Sequence, residues 1–363
     1  LYFLPLPQGH ESFRPTLSRA KSRPPERLRC PASGAFARDE PRTRRASILR
    51  EEAPSPQGPI YAAMLNDAHC HFFSARFFAA LGTQTAPATQ NAAVAIPERL
   101  GWDPPDTPER LADRWVRELD THHVHRAALM ASVPDDEESV SVAVRRHPSR
   151  LVGLSMVDPT RPDADARLTR LFDELGIRCA CLFPAMHGFR LDDDVVDRVF
   201  AAAATAGAAV FIHCGVLSVG VRRKLGLRTP VDIRLGDPLA IVPVASRYPS
   251  VPIIIPHFGA GFLKETLMAA DLCASLHLDT SSSNRWLQYH PELTLRTVFA
   301  HTLQTLGPDR LLFGTDSSFF PRGWQRPVYE TQRSILDDLD VGDDARHQIL
   351  AGNFDRVFSQ RSP

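Results

Sequence analysis

Lysine is almost missing from this chain, whose 363 residues contain only Lys21, Lys224 and Lys264 among 42 basic side chains. Long apolar runs are missing as well. The richest stretch, around Ala201 to Ile212, is interrupted by Thr205 and Gly207 and falls short of the ~18 residues needed to span a membrane, so a soluble protein is expected. No G-x-G-x-x-G or Walker loop follows an early apolar run, which argues against a dinucleotide or P-loop fold. A charged segment leading into an apolar one is absent from the start, so no secretory signal is legible. Net charge is zero, and nothing global points to nucleic acid or an anionic membrane as partner. Cysteine is sparse. Cys30, Cys70, Cys179, Cys181, Cys214 and Cys273 sit mostly in apolar runs, and the one-residue gap between Cys179 and Cys181 does not match a C-x-x-C pair. Buried thiols in a reducing cytoplasm are the simpler reading.

Sign and proline content divide the chain. Residues 1–63 hold eleven Lys/Arg against six Asp/Glu, ten of the first 60 residues are proline, and no apolar period is sustained there. Such a composition cannot bury enough surface to offset chain entropy, so a disordered basic leader is expected. Position 1 is not methionine and Met64 precedes the first strand-like run, so this leader is also readable as upstream sequence that is not native, with the functional chain being 64–363. A nucleic-acid tail is the weaker reading, because these arginines lack interleaved aromatics.

From Leu65 onward, eight short apolar runs alternate with amphipathic segments. The runs are Leu65–His69, Arg126–Ser132, Leu151–Asp158, Ile177–Pro184, Ala208–Gly215, Pro252–Gly259, Leu276–Ser282 and Leu311–Ser317. Helical period appears between them, as in Pro108–Leu119, Ala166–Leu175, Val195–Ala206 and Leu293–Leu306. Strands apolar on both faces and separated by helices define a covered parallel sheet, and eight such units predict an α/β fold of the (β/α)₈ TIM-barrel type. Two connections are long, Ser74 to about Asp106 and Val216 to about Asp237, and these are candidate lids.

Polar residues interrupt the ends of these strands. Asp67-Ala68-His69-Cys70-His71 ends the first, and residues two apart on a strand share a face, so His69 and His71 can reach one ion. Alone, such a pair equally describes two buried histidines with backbone partners. His213 ends the fifth strand, His257 the sixth and Asp316 the eighth. Burying five such groups is costly unless they are paired or ligated, and all five fall on the end where barrel enzymes place their sites.

This pattern resembles the amidohydrolase superfamily, most closely the aminocarboxymuconate-semialdehyde decarboxylase-like branch, amidohydrolase family two. The resemblance runs from about Leu65 to Phe358 and includes Gly188-Phe189-Arg190-Leu191-Asp192-Asp193, His257-Phe258-Gly259, Leu312-Phe313-Gly314-Thr315-Asp316-Ser317 and the closing Ile349-Leu350-Ala351-Gly352-Asn353. It implies that His69, His71, His213 and Asp316 bind one divalent metal ion and that His257 assists chemistry, with Asp316 also able to take a proton from water. Two-metal members use a carboxylated lysine ending strand four. Cys179-Ala180-Cys181-Leu182-Phe183-Pro184 offers none, so a mononuclear site is expected. Three imidazoles and a carboxylate suit Zn, with Mn, Fe or Co as alternatives.

Other residues carry weaker expectations. Arg190, Arg222, Arg223 and Arg322 are candidates to clamp a substrate carboxylate, against plain solvation. His187 is a candidate substrate contact, and Phe72, Phe73 and Trp324 are candidate pocket walls. Asp279, ending the seventh strand, either orients a metal-bound histidine or caps the next loop. His122, His123 and His125 precede the second strand, at the opposite end, and are given no catalytic role. The expected activity is hydrolysis of a small lactone, ester or amide. The alternative is non-oxidative decarboxylation of an aromatic or muconate-type acid, and the contrasting class is a silent metal-binding barrel acting through partners. A small-molecule substrate follows from either enzyme reading, and the resemblance implies a possible homodimer.

Overall fold

A computed structural model of the chain describes residues 64–282 and 284–359. The expected leader and Cys30 lie outside them. Eight strands follow one another in space as in sequence: β1 (Asn66–Phe72), β2 (Arg126–Ala131), β3 (Leu151–Val157), β4 (Cys179–Leu182), β5 (Ala209–Ile212), β6 (Ile253–Ile255), β7 (Leu276–Asp279) and β8 (Leu311–Leu312). Each neighbouring pair is parallel. The ring closes between β1 and the chain leaving β8: Ala68 N donates to Phe313 O at 2.9 Å, Asp316 N to His69 O at 2.8 Å and His71 N to Ser317 O at 2.7 Å. The result is a (β/α)₈ barrel. No described helix is long and apolar enough to cross a membrane, and the described cysteines are all free and buried.

Period-two alternation sorts the strand residues into two layers. Met130, Leu154, Cys181, Phe211, Ile254 and Leu312 fill the barrel. Leu129, Val210, Ile253 and Leu278 face outward into the larger core shared with the helices. The same alternation then aims the residues that follow. Phe211 points inward, so His213 does too, and the outward Leu276 and Leu278 leave His277 and Asp279 inward. In β1 the alternation is broken by a register shift between Asp67 and Cys70. Ala68 belongs to the inner layer, whereas Cys70 and Phe72 belong to the outer one, so Ala68 and His69 both face in.

The two ends of the barrel differ. At the strand N-termini, the helix Asn353–Phe358 inserts Phe354, Val357 and Phe358 into the inner layer. Arg126 locks it there, pairing with Asp355 at 2.7 Å and lying 5.1 Å from the Phe354 ring centre. At the other end, the two long connections pack on each other through Phe77, Phe78, Trp102, Val221 and Leu225. Trp102 stacks on Phe319 at 3.8 Å, and Arg222 donates to Gln84 Oε1 at 2.6 Å, tying one insertion to the other. They roof a cavity instead of filling it.

Candidate metal centre and substrate cavity

His69, His71 and Asp316 bring ligand atoms within 4.8 Å of one another, a grouping that could hold one metal ion. Each imidazole is turned by a partner on its far nitrogen. His69 Nδ1 contacts Asp279 Oδ2 at 2.5 Å, and His71 Nδ1 contacts Ser132 Oγ at 2.7 Å. Both Nε2 atoms are therefore directed to Asp316, whose Oδ1 is 3.9 Å from that of His69 and 2.9 Å from that of His71. This is the orientation metal-binding histidines require, one nitrogen held so that the other can ligate. Of its two expected roles, Asp279 takes the orienting one.

His213 stands on the same wall but outside the three-residue group. Its ring stacks against Phe183 at 5.6 Å and lies 5.5 Å from that of His257. Its Nδ1 is buried with no hydrogen-bond partner among the described residues, an unsatisfied ring nitrogen that suits a ligand. The His257 ring lies 5.2 Å from that of His69. Ser281 joins the two sides: its Oγ donates to Asp279 Oδ2 at 3.0 Å and lies 2.9 Å from His257 Nδ1. A hydroxyl has one proton to give, so His257 Nδ1–H is the donor to Ser281, leaving the other ring nitrogen for the cavity.

Electrostatics follows this wiring. Burial alone would lower the His69 pKa, but the charge and hydrogen bond of Asp279 overcome it and raise the group to about 9. His213, buried and facing the imidazoles of His257 and His69, is pushed down to about 3. Burial also lowers His257, with the charge of His69 adding to the effect. For Asp316 burial acts upward, yet the hydrogen bond and charge of His71 bring it to about 2, so it is a carboxylate at neutral pH. Asp316 and His257 both occupy left-handed backbone, φ 60° and 54°, a cost of about 1–3 kcal/mol each that clusters at functional sites. Gly314 is required nearby, because a Cβ there would sit 2.6 Å from Asp279 Oδ1.

Behind the centre, Asp67 braces β1 against the chain after β8. It accepts hydrogen bonds from His69 N at 2.9 Å, Thr315 N at 3.1 Å, Thr315 Oγ1 at 2.5 Å and Trp324 Nε1 at 2.7 Å. Trp324 is spent on this brace, and the cavity wall does not include it. Arg190 is also away from the cavity, paired with Asp192 at 2.8 Å on the surface. Phe72 is in the outer core, while Phe73, His187 and Arg322 do line the cavity. The cavity encloses about 830 Å³ and is walled further by Phe77, Trp102, Phe183, Phe211, Trp286 and Phe319. Arg322 lies beside the centre, donating to Ser318 Oγ at 2.7 Å with its guanidinium 4.4 Å from the Phe319 ring centre. Sequence reasoning did not single out Ser132 and Ser281; both are polar residues closing apolar strand runs, the same signal that marked His213.

A (β/α)₈ barrel with a His-His-Asp cluster at the C-terminal ends of its strands defines a metal-dependent barrel enzyme. The chain belongs to the amidohydrolase family, matched over residues 66–359. Comparison with curated proteins finds no match. Among solved structures it is similar to 5-carboxyvanillate decarboxylase from Sphingomonas paucimobilis, at 15% identity and TM-score 0.55, covering 83% of this chain and 100% of that one. Dihydroxybenzoic acid decarboxylase from Polaromonas sp. JS666, solved with manganese and 2-nitroresorcinol, aligns at 16% identity and TM-score 0.54, covering 82% of this chain and 98% of that one. A probable 2-pyrone-4,6-dicarboxylic acid hydrolase from Acinetobacter baumannii, with citric acid bound, aligns at 14% identity and TM-score 0.53, over 81% and 98% of the two chains. At these identities the likeness is one of fold.

Proposed function

We propose that this enzyme is a metal-dependent carboxy-lyase that decarboxylates a planar aromatic or muconate-type acid. One observation carries the choice over hydrolysis of a neutral lactone, ester or amide. Asp316, itself in the metal cluster, is the one carboxylate among the described residues lining the cavity, whereas arginines and aromatic rings surround it. Such a lining suits a flat anion, and a neutral substrate has no use for the guanidiniums.

His69, His71, His213 and Asp316 would hold one divalent ion, Zn or, given the manganese in similar structures, Mn. When bound, the ion supplies Lewis-acid charge for an oxygen of the substrate. The chain's own residues do the rest. Arg322, next to Asp316, takes a substrate carboxylate, and His187 and the aromatic walls fix the ring plane. His257, aimed by Ser281, takes up a proton from water on the nitrogen that faces the cavity and delivers it to the carbon bearing the carboxylate. As the C–H bond forms, the carbon–carboxylate bond breaks and carbon dioxide leaves with the ring electrons restored. A second reading is hydrolysis of a lactone that carries a carboxylate. It draws on Asp316 as a base for water and on the similarity to the probable pyrone-dicarboxylic acid hydrolase.

The test is mass spectrometry of a panel of aromatic and unsaturated acids and lactones incubated with metal-loaded protein and with His257→Asn. Loss of carbon dioxide, abolished in the variant while metal stays bound, is the expected result. Gain of water instead would move the assignment to the hydrolase.

A further inference from the structure

The cavity has a second electropositive end. Arg222, Arg223, Lys224, Arg285 and Arg322 line it, in a chain whose formal charge is zero. These cations are not equivalent. Arg322 belongs to the metal end, and Lys224 lies over the Trp102 ring at 5.4 Å. Arg222 acts as a staple: besides reaching Gln84, its Nε donates to Thr229 Oγ1 at 3.0 Å and its Nη2 to the Arg228 carbonyl. That staple folds the turn through Gly226 back onto the helix Gly220–Lys224, with Gly226 at φ 71°. Arg223 and Arg228 both line a small cavity formed by this segment.

This side cavity encloses about 400 Å³. Arg223, Arg228, Ser218 and Thr229 supply its polar lining, apolar residues of the same segment complete it, and it contains no carboxylate. Four residues, Leu217, Ser218, Val219 and Arg223, line both this cavity and the main one, so the two adjoin at Arg223. Neither the Arg223 nor the Arg228 side chain has a hydrogen bond or ion pair among the described residues, whereas Arg222 has all three guanidinium nitrogens engaged. Elsewhere on the surface, arginines such as Arg146, Arg161, Arg167 and Arg247 are matched by carboxylates. Two unmatched guanidiniums and two hydroxyls around one small cavity form a site for an oxyanion.

We propose that the strand-five insertion builds a subsite, formed by Arg223 and Arg228, for a second carboxylate at the far end of the substrate. The substrate is then a dicarboxylate, one acid group at Arg322 beside the metal cluster and the other at the junction of the two cavities. The proposal rests on the aromatic-acid reading above.

Calorimetric titration of the metal-loaded full chain tests it, with benzoate as the single-acid probe. Benzene-1,3-dicarboxylate, naphthalene-2,6-dicarboxylate and biphenyl-4,4'-dicarboxylate serve as two-acid probes of increasing span. At least one dicarboxylate is expected to bind roughly 10- to 100-fold tighter than benzoate, as two charge-assisted contacts provide. In the Arg223→Gln/Arg228→Gln double variant that advantage disappears, with the melting temperature unchanged because both side chains are exposed. Benzoate binding with no dicarboxylate exceeding it would overturn the subsite and leave the aromatic-acid reading in place. So would a dicarboxylate preference that survives in the double variant. Binding of neither class would overturn both.

Discussion

His69 and His277 are both inward-facing strand residues and both buried, 2% and 7% exposed, yet the barrel drives them in opposite directions. His277 stands at the closed end. Its Nδ1 is satisfied by the Ser275 carbonyl at 2.9 Å, and burial, reinforced by the charges of Arg310 and Arg356, pushes it down to about 4. His69 stands at the open end, where Asp279 outweighs burial and raises it to about 9. A histidine inside a barrel is therefore not a ligand by virtue of burial. For His69 the carboxylate behind it is what differs, because it holds Nδ1, leaves the other nitrogen toward the cavity and makes that nitrogen a better donor.

The sharpest way to break the comparison is to delete each ring. His69→Asn is expected to lose bound metal by elemental analysis and to lower turnover by ~10³-fold or more, the scale of several kcal/mol of Lewis-acid stabilisation. His277→Asn should keep both. Equal metal loss in the two variants would mean that burial, and not the partner, makes the site.

A smaller effect appears in stability against pH for metal-free protein. The unfolded His277 takes up a proton near 6.5 and the folded one only near 4, so stability is complete above 6.5 and is lost as pH falls between those values. The loss amounts to roughly 3 kcal/mol. His69 has the opposite sign: its contribution is complete below 6.5 and is lost as pH rises toward 9. Denaturant titrations across pH should therefore peak near neutrality, and His277→Asn should shrink the acid limb by its own share, leaving the part contributed by the depressed His213 and the alkaline limb unchanged. An acid limb unchanged in that variant would refute the assignment.

Much of this is legible in the sequence, for a physical reason. A parallel barrel buries both faces of every strand, so its strands read as apolar runs, and each polar residue closing one stands out. That contrast alone marks His69, His71, His213, His257 and Asp316. What is not legible depends on long-range pairing or on broken periodicity. Asp67 and His69 are two apart and should share a face, but the β1 bulge separates them and turns Asp67 outward to Trp324 and Thr315. Trp324 beside the barrel mouth looks like pocket wall in sequence, since nothing local reveals that its indole N–H is taken by a residue 257 positions away. Arg190 looks available as a clamp until the turn after β4 folds Asp192 against it.

The finest test exchanges the charge behind His69 and keeps the shape. In Asp279→Asn the one remaining side-chain oxygen can take the place of Oδ1 and keep the bond from Ser281 N, 2.7 Å in the native chain, so the strand ends stay in register, while the amide NH2 replaces Oδ2 opposite His69 Nδ1. What is lost is the negative charge that strengthens the donor and, with Oδ2, the acceptor for His69 Nδ1. Metal affinity, measured by chelator competition, should fall about 10- to 100-fold, less than on removal of the ring itself. The alkaline limb of the metal-free stability profile should shrink at the same time, because Asp279, the main group holding the His69 proton, no longer carries charge and only Asp316 and Asp67 remain to favour it. Unchanged affinity with an unchanged alkaline limb would mean that Asp279 serves only to tie down the chain at Ser281, and the contrast between the two histidines would then need a cause other than their partners.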